Sequence, residues 1–99
     1  MNDGTADAAV GTLKRTLTIA NKRGLHARAA AKFVRTVGQF DAAVRVSFKG
    51  QEVSGLSIMG LMMLAAGIGS SIELTCSGRQ ATEAMVALSA LVEGKFGEE

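Results

Sequence analysis

Among the 99 residues there is a single histidine, and an arginine follows it two positions on, in Gly24-Leu25-His26-Ala27-Arg28. Neutral imidazole is a good nucleophile near physiological pH. Guanidinium is a permanent cation whose fork of donors matches the oxygens of a phosphate. One group could therefore accept a phosphoryl group while the other offsets its charge. Taken alone, a histidine at a loop–helix junction is more often a surface residue or a cap, and most helix arginines are solvated. The pair gains meaning from the elements that hold it.

Upstream, Leu13 to Ala20 alternates, with Leu13, Leu17 and Ile19 in one phase and Lys14, Thr16 and Thr18 in the other. This is a strand pattern that Arg15 interrupts. Asn21-Lys22-Arg23-Gly24 reads as a polar loop. Downstream, Ala30, Phe33, Val34 and Val37 recur at helical spacing, so a helix is predicted over Ala27 to Val37 with His26 at or beside its N-cap. A helix N-terminus presents unpaired N–H groups and a positive dipole end, which favour an anion. Arg28, Lys32, Arg35 and Gln39 fall on another face, a cationic stripe that is either solvated or able to steer an acidic partner.

After a turn at Gly38 to Asp41, Val44, Val46 and Phe48 predict a second strand. Lys49-Gly50 gives a hairpin and Gln51 to Ser54 a short third strand. Ile72, Leu74 and Cys76 alternate in a fourth. Ala81, Ala84, Met85, Leu88, Leu91 and Val92 mark a last helix that begins to end at Gly94. Between Val53 and Ile72 no residue is charged, but four glycines and four serines interrupt the run. Its dense apolar part, Leu56 to Ala66, is too short to span a bilayer. A short helix, Ile58 to Ala65, is predicted there with Ser57 as its cap. Leu61 and Leu64 are assigned to the core. Ile58, Met59 and Met62 are left exposed, as a partner-docking patch or as packing under a loop.

The order β-α-β-β-α-β-α implies an α+β fold, a two-layer open-faced sandwich. Its four-stranded antiparallel sheet has strand order 1-4-2-3, with three helices on one face and the other face in water. Residues 13–95 are expected to form one domain, with 1–12 as a flexible N-terminal tail and 96–99 as a charged C-terminal tail.

Composition narrows the function classes. Eleven basic and nine acidic residues give a net charge of +2, and there are only four aromatic residues, all Phe, so nucleic-acid binding is disfavoured. One cysteine, Cys76, forms no internal disulfide, suits a reducing cytoplasm, and reads as a buried thiol. His and Cys are too few for a metal site, and no cofactor is called for. The glycines form no P-loop, and the N-terminus has no signal-peptide character. No second catalytic group accompanies His26, so an autonomous enzyme is not expected. A small-molecule regulatory domain has only fold analogy in its favour.

Two motifs, Gly24-Leu25-His26-Ala27-Arg28 and Ser57-Ile58-Met59-Gly60-Leu61, resemble the HPr family. Its members are histidine-containing phosphocarriers of the bacterial phosphoenolpyruvate-dependent phosphotransferase system. The resemblance runs from about Lys14 to Gly94. Asn21-Lys22, Phe40-Asp41-Ala42 and Leu61-Met62-Met63-Leu64 also look like the family's nitrogen-related branch. The resemblance implies that His26 accepts a phosphoryl group on Nδ1 from phosphorylated Enzyme I and passes it to a IIA-type protein. It implies that Arg28 and the N-terminal amides of the first helix help hold the phosphate. The oligomeric state stays open, with a monomer as the default, and the lone cysteine points to the cytoplasm. The resemblance also makes Ser57 the counterpart of a serine that a serine kinase/phosphorylase modifies in some bacteria, although Ser57 reads equally well as a plain helix cap. The family usually reads His-x-Arg-Pro, whereas this chain continues with alanines, and Ala30 is the expected seat of the missing proline. A reading from another class stays open: a regulatory interaction module working through Ser57 and the Ile58, Met59 and Met62 patch.

Overall fold

The computed structural model describes residues 12–98. β1 (Thr12–Thr18) leads through a loop to α1 (Ala27–Val37). There follow β2 (Ala43–Phe48), β3 (Gln51–Ser54), α2 (Ile58–Met63), β4 (Ser71–Ser77) and α3 (Ala81–Glu93), with a 3-10 turn at Lys95–Gly97. The sheet order is β1-β4-β2-β3, and every pairing is antiparallel. This is the α+β sandwich that the element order implied.

Alternation decides which sheet face is covered. Ile72, Leu74 and Cys76 of β4 and Val44 and Val46 of β2 are buried beneath the helices with Leu17, Phe33, Val37, Leu61 and Leu88. Arg15 shares the inward phase of β1, opposite Leu74. It avoids the core by reaching α3, where Nη1 donates to Ser89 Oγ at 2.9 Å and Nη2 lies 3.5 Å from Glu93 Oε2. The interruption in the strand pattern is thus a strand-to-helix tie. At the β2–β3 hairpin, Lys49 (φ 50) and Gly50 (φ 80) both take the left-handed backbone that a two-residue turn requires.

α2 is shorter than its apolar run predicted. It ends at Met63 because Ala65 turns left-handed (φ 56) at a cost of about 1 kcal/mol. Ser57 caps it, Oγ accepting from the Gly60 amide at 2.9 Å.

Of the expected N-terminal tail, residues 1–11 lie outside the described residues, while Thr12 already pairs with Ser77. The expected C-terminal tail is corrected for residues 96–98, and Glu99 lies outside the described residues. Phe96 is fully buried in the core, and Glu98 bonds to residues of the β1–α1 loop. Burying one large aromatic outweighs the charges flanking it.

Candidate functional site

The loop between β1 and α1 is built to hold His26 still. Gly24 is left-handed (φ 65), and a Cβ there would stand 2.5 Å from the Ala66 carbonyl oxygen, so the residue must be glycine. Leu25 is buried, and its amide donates to that carbonyl at 3.0 Å. Asn21 is fully buried, its Nδ2 donating to the Gly24 carbonyl at 2.9 Å. His26 then occupies the N-cap of α1 with extended backbone (φ −76, ψ 177), and its ring makes no cap hydrogen bond. The first helical bond runs from the Ala30 amide to the His26 carbonyl at 2.8 Å. The amides of Ala27, Arg28 and Ala29 therefore have no helical acceptor. Arg28 is exposed and makes no ion pair among the described residues. Imidazole and unpaired amides thus share one helix end, with the exposed Arg28 in its first turn.

The His26 ring nitrogen Nε2 faces Glu98 Oε2, and the other carboxylate oxygen accepts from Asn21 Nδ2 at 3.1 Å. These hydrogen bonds from His26 and then Asn21, with the nearby charge of Arg23 adding to them, hold the Glu98 carboxyl below the usual carboxylate range. Asn21 Oδ1 is buried without a protein partner. Turning the amide over would aim that oxygen at the Gly24 carbonyl and the carboxylate, so the orientation is fixed by its surroundings.

Two expectations need correction here. Lys32 is not part of an open cationic stripe, since its ammonium donates to the Phe96 carbonyl at 2.6 Å. And the residue directly after Arg28 is Ala29, which is therefore the position of the family's proline. Ala30 cannot play that part without loss, because its amide carries the first helical bond.

Leu61 and Leu64 are buried, whereas Ile58, Met59 (69 % exposed) and Met62 face outward as expected. Leu56, Met63 (74 % exposed) and Ile68 are further exposed apolar residues on this stretch. Ser57 sits half-buried at its edge. The patch is tied to the His26 loop through Ala66. Sequence reasoning missed Asn21 and Glu98; a turn-forming Asn three residues before a Gly was the one available signal for the former.

A family model described as "PTS HPr component phosphorylation site" matches residues 13–94. The chain belongs to the HPr family. It is 52% identical over 86 residues to the phosphocarrier protein HPr of Cupriavidus necator, covering 87% of this chain and 97% of that one. It is 43% identical over 86 residues to the phosphocarrier protein NPr of Shewanella violacea, covering 87% and 94%. Its fold matches that of HPr-C-His from Thermoanaerobacter tengcongensis with a TM-score of 0.84 and 42% identity, covering 88% of this chain and 98% of that one. These relatives are phosphocarrier proteins by name, and no described helix here is long and apolar enough to cross a membrane.

Proposed function

We propose that this chain is a cytoplasmic, monomeric phosphocarrier. His26 accepts a phosphoryl group on Nδ1 from phosphorylated Enzyme I and yields it to a IIA-type protein. The observation that carries this reading is the imidazole at the N-cap of α1, free of any cap bond, beside three amides without helical acceptors. Amides and Arg28 supply donors and positive charge to the transferred group, and transfer of this kind needs little beyond alignment and charge stabilisation. Arg28 is exposed, as a site that must release its phosphoryl group to the next protein requires. The surface of Ile58, Met59 and Met62 docks both partners against the same end of the molecule.

A second reading rests on Ser57, whose hydroxyl borders that surface. A phosphate there adds charge amid apolar side chains and weakens the encounter with Enzyme I. Incubation with labelled phosphoenolpyruvate and Enzyme I separates the two. Acid-labile, alkali-stable label that is lost in His26→Ala and kept in Ser57→Ala supports the carrier. Absence of label with a cognate Enzyme I refutes it and leaves the Ser57 module.

A further inference from the structure

The segment after α3 takes an unusual path to His26. Lys95 (φ 60), Phe96 (φ 55) and Gly97 (φ 77) are left-handed in succession, at roughly 1–2 kcal/mol for each of the two residues that carry a Cβ. Such a path persists only where its surroundings over-determine it. Phe96 is fully buried, and Lys32 Nζ holds its carbonyl at 2.6 Å. The outcome is a half-buried Glu98 with both oxygens engaged, one by Asn21 Nδ2 at 3.1 Å and the other by His26 Nε2.

We infer that Glu98 is a positioning residue for phosphoryl transfer at His26, an inference that rests on the carrier reading above. An ionised carboxylate only accepts hydrogen bonds, so Nε2 must carry the proton and Nδ1 is left with its lone pair. That lone pair attacks phosphorus. The Nδ1–P bond forms as the donor's bond to phosphorus breaks, and the broken bond's electron pair leaves with the donor. The Nε2 proton stays in place, so the ring gains a positive charge, which the Glu98 carboxylate offsets. In onward transfer the Nδ1–P bond breaks and its pair returns to Nδ1. A ring that remains protonated at Nε2 is the better leaving group. Glu98 thereby assists both acceptance and release, and Asn21, itself anchored on the Gly24 carbonyl, fixes the carboxylate's orientation.

The single histidine makes the test direct. The protein is labelled with 15N in histidine and held at a pH above the ordinary imidazole range, as wild type, Glu98→Gln and Glu98→Ala. The wild type should show a protonated Nε2 with slow proton exchange and an unprotonated Nδ1. Glu98→Ala should show averaged nitrogens and fast exchange. Its phosphoryl acceptance should fall roughly tenfold, with the apparent KM for Enzyme I unchanged. Glu98→Gln offers one acceptor oxygen to two donors, Asn21 Nδ2 and Nε2–H, so it should keep the fold, weaken the wild-type tautomer and accept slowly. Identical nitrogen spectra in wild type and Glu98→Ala would overturn the proposal, as would acceptance by Glu98→Ala at the wild-type rate or faster. The nitrogen spectra need no phosphoryl donor. A wild type that holds the tautomer but takes no label refutes the carrier reading, and the role in transfer with it, while the Glu98–His26 contact stands.

Discussion

The amide of Leu25 donates to the carbonyl of Ala66 at 3.0 Å, and this bond sets where His26 stands relative to the exposed face of α2. Two stretches far apart in the chain, the His26 loop and the apolar patch, are registered by one backbone contact. It is possible because Gly24 lets the two backbones approach. A protein binding the patch thereby meets His26 in a fixed place.

Gly24→Ala tests that registration. The new Cβ would lie 2.5 Å from Ala66 O and 2.8 Å from Gly67 Cα, on a residue with φ 65. A loss of about 2–3 kcal/mol in urea unfolding is expected, together with slower phosphoryl acceptance. Gly67→Ala is the control. Nothing lies within 4 Å of a Cβ there, so its effect should stay within about 0.5 kcal/mol.

Proline substitutions distinguish two neighbouring positions in α1. Ala29 has an amide without a helical acceptor, so Ala29→Pro should leave the helix nearly intact. Ala30→Pro removes the bond to the His26 carbonyl, 2.8 Å long, and brings its ring against that carbonyl. A loss of about 3 kcal/mol and displacement of His26 should follow, read by thermal unfolding and by the label assay.

Ser57 has separable roles as cap and as charge site. Ser57→Ala removes the hydroxyl that accepts from the Gly60 amide, with an expected loss of about 1 kcal/mol and unchanged acceptance at saturating Enzyme I. Ser57→Asp keeps a capping oxygen, so stability should hold. Its charge at the edge of the apolar patch should raise the apparent KM for Enzyme I on the order of tenfold. An unchanged KM would remove the patch from the docking account.

Stability should fall at both ends of the pH scale for different reasons. The folded-state pKa of Glu98 is lowered, chiefly by its hydrogen bond from His26. Its contribution is present above the ordinary carboxylate pKa and is lost as pH falls through the lowered value. Glu98→Gln should flatten that acid limb. Burial raises the Cys76 thiol. Its contribution is present below the ordinary thiol pKa and is lost as pH rises through the raised one. Cys76→Ala should flatten the alkaline limb, and in the folded wild type Cys76 should resist thiol reagents.

The frame of this site is legible in residue spacing. Ala27 to Val37 reads as a helix with His26 at its cap, because Phe33 and Val37 repeat at helical period and Gly24 punctuates the loop before it. The alternation of Ile72, Leu74 and Cys76 likewise marks a half-covered strand. What surrounds the imidazole is not legible in that way. Asn21 belongs to a stretch whose composition says solvent, and it is buried because its side chain satisfies a neighbouring carbonyl. Glu98 lies 72 residues from His26, and no periodicity encodes a pairing at that separation. Phe96 stands among charges, and its burial is a property of the assembled core. Long-range polar contacts arise from tertiary assembly, after the local signals have been used.

The most direct measurement is 31P and 15N spectroscopy of the histidine-labelled protein after incubation with phosphoenolpyruvate and Enzyme I. With one histidine in the chain, a single pair of ring nitrogens reports the chemistry. The expected result is phosphorus–nitrogen coupling at Nδ1 of His26, with Nε2 still protonated, and loss of that signal when a IIA-type protein is added. Coupling at Nε2, or phosphate found only as an acid-stable ester on Ser57, would contradict it.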